Sequence, residues 1–163
     1  MTADLASRQA YLVAALVLGG PAPVGFDPRG VALTARTLVR KRWSSVRRHW
    51  PVLAAALRHD HGEGDSWALF EAWAQAQRDR GRRPGSGFAE GLAFAAWLES
   101  QEQLPEAATL EVASARLGWA HVDTEQPLAR RRRWFGLAVG QARGVRLVAI
   151  GWRGRYRIIS SGR

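Results

Sequence analysis

Near residue 129 the chain changes the spacing at which its apolar residues recur, and this switch limits the fold more than any other feature. Upstream, apolar side chains return roughly every three to four residues, the repeat of one helix face. Downstream they alternate, in Arg133-Trp-Phe-Gly-Leu-Ala-Val-Gly140, Val145-Arg-Leu-Val-Ala-Ile-Gly-Trp152 and Arg155-Tyr-Arg-Ile-Ile159. Alternation of that kind belongs to strands with one face on a core. Gln141-Ala-Arg-Gly144 and Arg153-Gly154 fit the hairpin turns between them. The expectation is an α+β chain: a mostly helical N-terminal bundle over residues 1–122, followed by a small C-terminal antiparallel β-sheet of three strands over 129–163.

Charge follows the same division. Residues 129–163 contain ten arginines and no acid, residues 85–128 one basic and seven acidic side chains, and residues 1–84 thirteen basic and seven acidic ones. The formal net charge of +10 is thus a difference between segments. Such a field favours an acidic partner, whether nucleic acid, membrane surface or acidic peptide. A single lysine, Lys41, among many arginines points to a GC-rich genome, so part of the arginine content reflects codon usage.

With 163 residues, 47% of them hydrophobic, the chain can bury a core without help from a metal or disulfide. It has no cysteine, which excludes a disulfide framework, thiolate metal sites and cysteine nucleophiles. The N-terminus shows no signal-peptide pattern, and the apolar run 11–18 is too short to span a bilayer. A cytoplasmic protein with no membrane association is expected.

Helix punctuation is clear in places. A first helix runs to Leu18 and stops at Gly19-Gly-Pro-Ala-Pro23. Asp27-Pro28 reads as an N-cap followed by proline at the first helical position. The helix that follows is long and dense in arginine until Pro51 kinks it or opens another. The polar stretch His59-Asp-His-Gly-Glu-Gly-Asp65 reads as a loop, with Asp65 or Ser66 capping the next helix. Ser86 caps another, and Pro105 opens a sixth.

Constellations for chemistry are sparse. His59 and His61 flank Asp60, but two histidines on a loop without a third ligand at a recognisable spacing favour a polar loop over a metal site. Neither a phosphate-binding glycine loop, a dinucleotide fingerprint nor a nucleophile elbow occurs. Glu90 and Glu99 are not spaced as an acid/base pair. No catalytic residue and no metal ligand is therefore assigned, and no cofactor is expected in this chain. Tryptophans at 43, 50, 67, 73, 97 and 119 read as core, whereas Trp134 and Trp152, in the basic segment, read equally as core or contact.

Several motifs together carry a resemblance. Leu5-Ala-Ser-Arg-Gln9, Gly19-Gly-Pro-Ala-Pro23 with Gly25-Phe-Asp-Pro28, Leu38-Val-Arg-Lys-Arg42, Trp50-Pro-Val-Leu53, the Trp67 to Trp73 stretch, and Gly91-Leu-Ala-Phe94 with Trp97-Leu98 resemble the helical domain of partner proteins of the multinuclear non-heme iron-dependent oxidases. These domains were once described as DNA-binding. The resemblance implies a non-catalytic subunit that forms a heterodimer with the oxidase and recruits the leader of a ribosomally made precursor peptide, as in the biosynthesis of ribosomal peptide natural products (RiPPs). The iron belongs to the oxidase.

On this reading the leader pairs with a strand edge of the basic segment, where Arg133, Trp134, Phe135, Leu137, Val139, Arg155, Tyr156 and Arg157 are the candidate peptide-binding residues. Trp50 and Pro51, with Arg47 and Arg48 before them, are the candidate oxidase interface. The competing reading is a DNA-binding protein that sets its arginine-rich helix or tail on phosphate. The acidic balance of residues 85–128 and the interruption at Pro51 stand against it. A third reading, a metalloenzyme using His59 and His61, lacks a ligand set.

Overall fold

The computed structural model describes residues 2–120, 129–130, 135–142, 145–152 and 155–161. Its first helix, α1, spans Thr2–Leu18. α2 spans Pro28–His49, and the carboxylate of Asp27 accepts from the N–H groups of Arg29 at 3.2 Å and Gly30 at 2.8 Å. The Asp-Pro pair thus satisfies two of the donors that a helix start leaves free. α2 ends at Trp50, whose N–H still reaches Val46 O, and Pro51 begins α3, Pro51–Asp79. Proline has no N–H to lose at that position.

The loop expected over residues 59–65 is not there. Helix runs on both sides of a single non-helical residue, Gly62, at φ 83° and ψ 167°. Only glycine enters that region of backbone space without strain, so one residue supplies the bend. Ser66 then donates its hydroxyl to Glu63 O at 2.9 Å on the far side of the kink.

α4 spans Gly87–Ser100, with the Ser86 hydroxyl accepting from Ala89 N–H at 3.3 Å. A single 3-10 turn, Glu106–Ala108, leads into α5, Thr109–Gly118. Aromatic rings fill the core between the helices. Trp43, Phe70, Trp73 and Phe94 have ring centroids 5.0 to 6.1 Å apart, mostly tilted or edge-on, as ring quadrupoles favour. Leu53, Leu57 and Leu98 are fully buried around them. α4 lies close on α2 because it presents glycine twice, one turn apart. A β-carbon at Gly91 would overlap the Trp50 indole, and one at Gly87 would overlap Ser45.

The α+β class expected from the sequence is corrected by this packing. Five helices make up 78% of the body, and no strand enters it. Among the described residues every member of the buried core lies on α2 to α5 or on the turns that join them. Alternating apolar residues set a local backbone preference for strand, but the body is filled by helix-on-helix packing of aromatic and leucine side chains. Beyond α5 the described backbone pairs as β1 (Trp119–Ala120) with β2 (Ala129–Arg130), and as β3 (Phe135–Ala142), β4 (Val145–Trp152) and β5 (Arg155–Ser161) in antiparallel order. Leu137, in β3, is 57% exposed. None of the described helices is long and apolar enough to cross a membrane.

Candidate functional site

The cations of α2 divide by helical position. Arg36 donates from Nε to Glu71 at 2.8 Å, and Arg47 reaches Glu63 at 2.6 Å. Both carboxylates stand on α3, so these pairs strap two helices together along their solvent edge. Arg47 also lies 6.0 Å from the Trp43 ring centroid, and Arg40 sits 5.5 Å over Trp67. On the other flank Arg42 donates from Nε to both oxygens of Glu90, at 2.9 and 3.1 Å. Glu90 is buried on α4 and also accepts from Gly85 N–H at 3.2 Å. Burying a carboxylate costs free energy unless it is paired and hydrogen-bonded in this way.

Thr37, Lys41, Ser44 and Arg48 fall between these flanks, at spacings of four, three and four residues that place them in one exposed row turned away from the core. Among the described residues no acid lies within ion-pair distance of Lys41 or Arg48. The row borders a cleft of about 590 Å³ between α1, α2 and the start of α4. Leu16, Val17, Leu38 and Val39 supply its apolar wall, and Lys41, Arg42 and Arg78 its charge. Arg78, from α3, donates Nη2 to Leu16 O at 2.8 Å and so closes the C-terminal end of α1. Its Nε is buried without a partner. Burial, and then the charge of Arg42, push the Arg78 guanidinium below its usual pKa.

The residues expected at the oxidase interface do not act alike. Trp50 is 1% exposed: it stacks on Phe88 at 5.2 Å and donates Nε1–H to Phe88 O at 3.0 Å. It therefore belongs to the core, as its place among the core tryptophans implied, and offers no contact surface, which corrects its assignment to the oxidase interface. Pro51 and Arg48 are exposed, and Arg47 is engaged by Glu63. The turn is held from outside by Glu111 of α5, whose carboxylate accepts from Val52 N–H at 3.3 Å and Leu53 N–H at 2.8 Å. It caps a helix that has no side-chain cap of its own. Desolvation raises the Glu111 pKa, while the two N–H groups pull it back.

Of the expected peptide-binding residues, Arg133 and Trp134 lie outside the described residues. The backbone register sets Phe135 opposite Trp152, Leu137 opposite Ile150 and Val139 opposite Val148. It sets Arg155, Tyr156 and Arg157 opposite Trp152, Gly151 and Ile150. His59 and His61 are exposed on α3, and among the described residues no group of three or more ligating side chains could hold a metal. Glu90, Arg78 and Glu111 escaped sequence reading: their partners lie 48, 62 and 58 or 59 residues away, beyond any local spacing signal.

No curated protein and no solved structure matches this chain. One family model does, over residues 6–100, from α1 through α4 and more than half of the sequence. That span contains the paired and the open cations of α2 and the cleft beside them, so the chain belongs to the SCO6045-like, C-terminal domain family.

Proposed function

We propose that this protein is a non-catalytic partner subunit, which binds a multinuclear iron-dependent oxidase and recruits the leader of a ribosomally synthesised precursor peptide for modification. The observation that carries the proposal is the division of its cations. Arg36, Arg42, Arg47 and Arg116 are committed to carboxylates within the fold, whereas Lys41 and Arg48 face solvent without an acid. Cations left unpaired beside an apolar cleft suit capture of an acidic chain better than they suit bond-making. The tail adds a second means of grip. β5 ends the strand order, so among the described residues its outer edge has no strand beside it, and it carries Arg155, Tyr156 and Arg157. An extended leader can add there through backbone hydrogen bonds. In this scheme the irons and the oxidation belong to the oxidase, and this chain supplies affinity and position.

Co-expression with an iron oxidase of that class and its precursor tests the proposal. A stable complex, with faster modification of the precursor when this chain is present, is the expected result. A chain that neither binds the oxidase nor changes its turnover contradicts it.

A further inference from the structure

The cleft beside α2 joins two properties seldom found together on a surface without a partner. Its wall is aliphatic, from Leu16, Val17 and Leu38, and all three are partly exposed. Its charge is unbalanced, because Lys41, Arg42 and Arg78 face one carboxylate, Glu90, which Arg42 and Gly85 N–H already engage. A volume of about 590 Å³ is that of a ligand site rather than a packing defect. The open row of α2 enters it at Lys41, with half-buried Ser45 beside it, so the cationic strip and the apolar cavity form one continuous surface.

We infer that this surface docks an acidic peptide segment of a partner protein, with one apolar side chain seated in the cleft and carboxylates on Lys41 and Arg48. A free inorganic anion would make no use of the aliphatic wall. A duplex would meet the cations with phosphate and leave the aliphatic wall unused, and a single strand would find no Phe, Tyr or Trp in the cleft lining on which to stack its bases. A neutral apolar peptide would leave the cations without partners. An acidic segment with an apolar anchor satisfies both halves of the site. This site lies on the helical body, apart from the β5 edge, and it deepens the proposed function, which rests on the same unpaired cations.

The test uses the intact chain and a short fluorescein-labelled peptide of Glu and Asp residues around one central Leu, followed by fluorescence anisotropy. Binding should weaken about tenfold or more in Lys41→Glu, the loss of one well-placed charge contact and the gain of a repulsive one. A probe with Ser in place of Leu should weaken by roughly tenfold, the scale of burying one aliphatic side chain. Arg48→Glu serves as a second variant. Lys41 and Arg48 are both exposed and make no ion pair among the described residues, so helical circular dichroism should be unchanged in either. The inference is overturned if the probe does not bind, if both reversals bind it as the parent chain does, or if the Ser probe binds as tightly as the Leu probe. It is also overturned if duplex DNA binds more tightly, with affinity falling steeply in salt. Probe binding without oxidase binding would keep the cleft and remove the oxidase reading; the reverse would do the opposite.

Discussion

Along α2, Arg36, Arg42 and Arg47 each end on a carboxylate of another helix, whereas Lys41 and Arg48 end in solvent. All five are long cations on one continuous helix, so residue type does not separate them. Position does. The paired residues flank the stripe of Ala35, Val39, Trp43 and Val46 that packs into the core, and from there they reach α3 or α4. The unpaired ones stand on the opposite face, where among the described residues no carboxylate comes within ion-pair distance. The lesson is that net charge overstates the binding surface: on α2 three of the arginines, Arg36, Arg42 and Arg47, hold helices together, and their charge is not free to meet a partner.

Substitutions along the helix can break that division. The largest effect is expected at Glu90. Glu90→Ala leaves Arg42 in a largely closed site without its carboxylate, and removing one partner of such a pair costs about 3 kcal/mol. Urea denaturation measures it. Replacing Arg42 and Glu90 together with apolar residues should recover most of the loss, because the cost comes from the stranded charge. Next comes Glu111→Ala, expected to cost about 1 kcal/mol through loss of the cap on α3. Arg36→Ala, at an exposed pair, should cost less than about 0.5 kcal/mol. Smallest of all, Lys41→Ala and Arg48→Ala should stay within about 0.5 kcal/mol of the parent while weakening partner binding. Should Lys41→Ala destabilise the fold as much as Glu90→Ala, the division into structural and available cations is wrong.

pH sharpens the same contrast at α5. Glu111 has a raised folded pKa, so the folded state holds more protons across that window. Its contribution is present below the ordinary carboxylate pKa and declines as pH rises through the raised value. Glu99 is opposite. The hydrogen bond from Arg116 lowers its pKa, so its contribution is present above the ordinary range and is lost as pH falls through the lowered value. Thermal melts across the acidic range should therefore show Glu111→Gln removing a decline on the alkaline side, and Glu99→Gln removing one on the acid side.

Local signals were legible in the sequence where the chemistry is local. Asp27-Pro28 and Ser86 announced helix starts within three residues of the groups they satisfy. The kink at Gly62 was misread because glycines and charges in 59–65 look like a loop, although one positive-φ residue is enough to bend a helix that otherwise continues. Trp50 reads as core from its helical position, and it is; only its second assignment, to the oxidase interface, fails. An aromatic residue before proline resembles an exposed turn, and nothing nearby in sequence shows that Phe88 and Gly91 close over the ring. The alternation after residue 129 gave strand pairing but not the fold class, because five helices make up most of the body and no strand lies within it. The open row of α2 could be drawn from spacing. Which of its neighbours were already paired depended on α3 and α4, and that needed three dimensions.

The most direct measurement is sedimentation velocity of the intact chain mixed with the iron oxidase and its precursor peptide. Co-sedimentation of the three, with the precursor lost from the complex on reversing Lys41 and Arg48 together, is the predicted result. A chain that sediments alone in the presence of both would contradict the account.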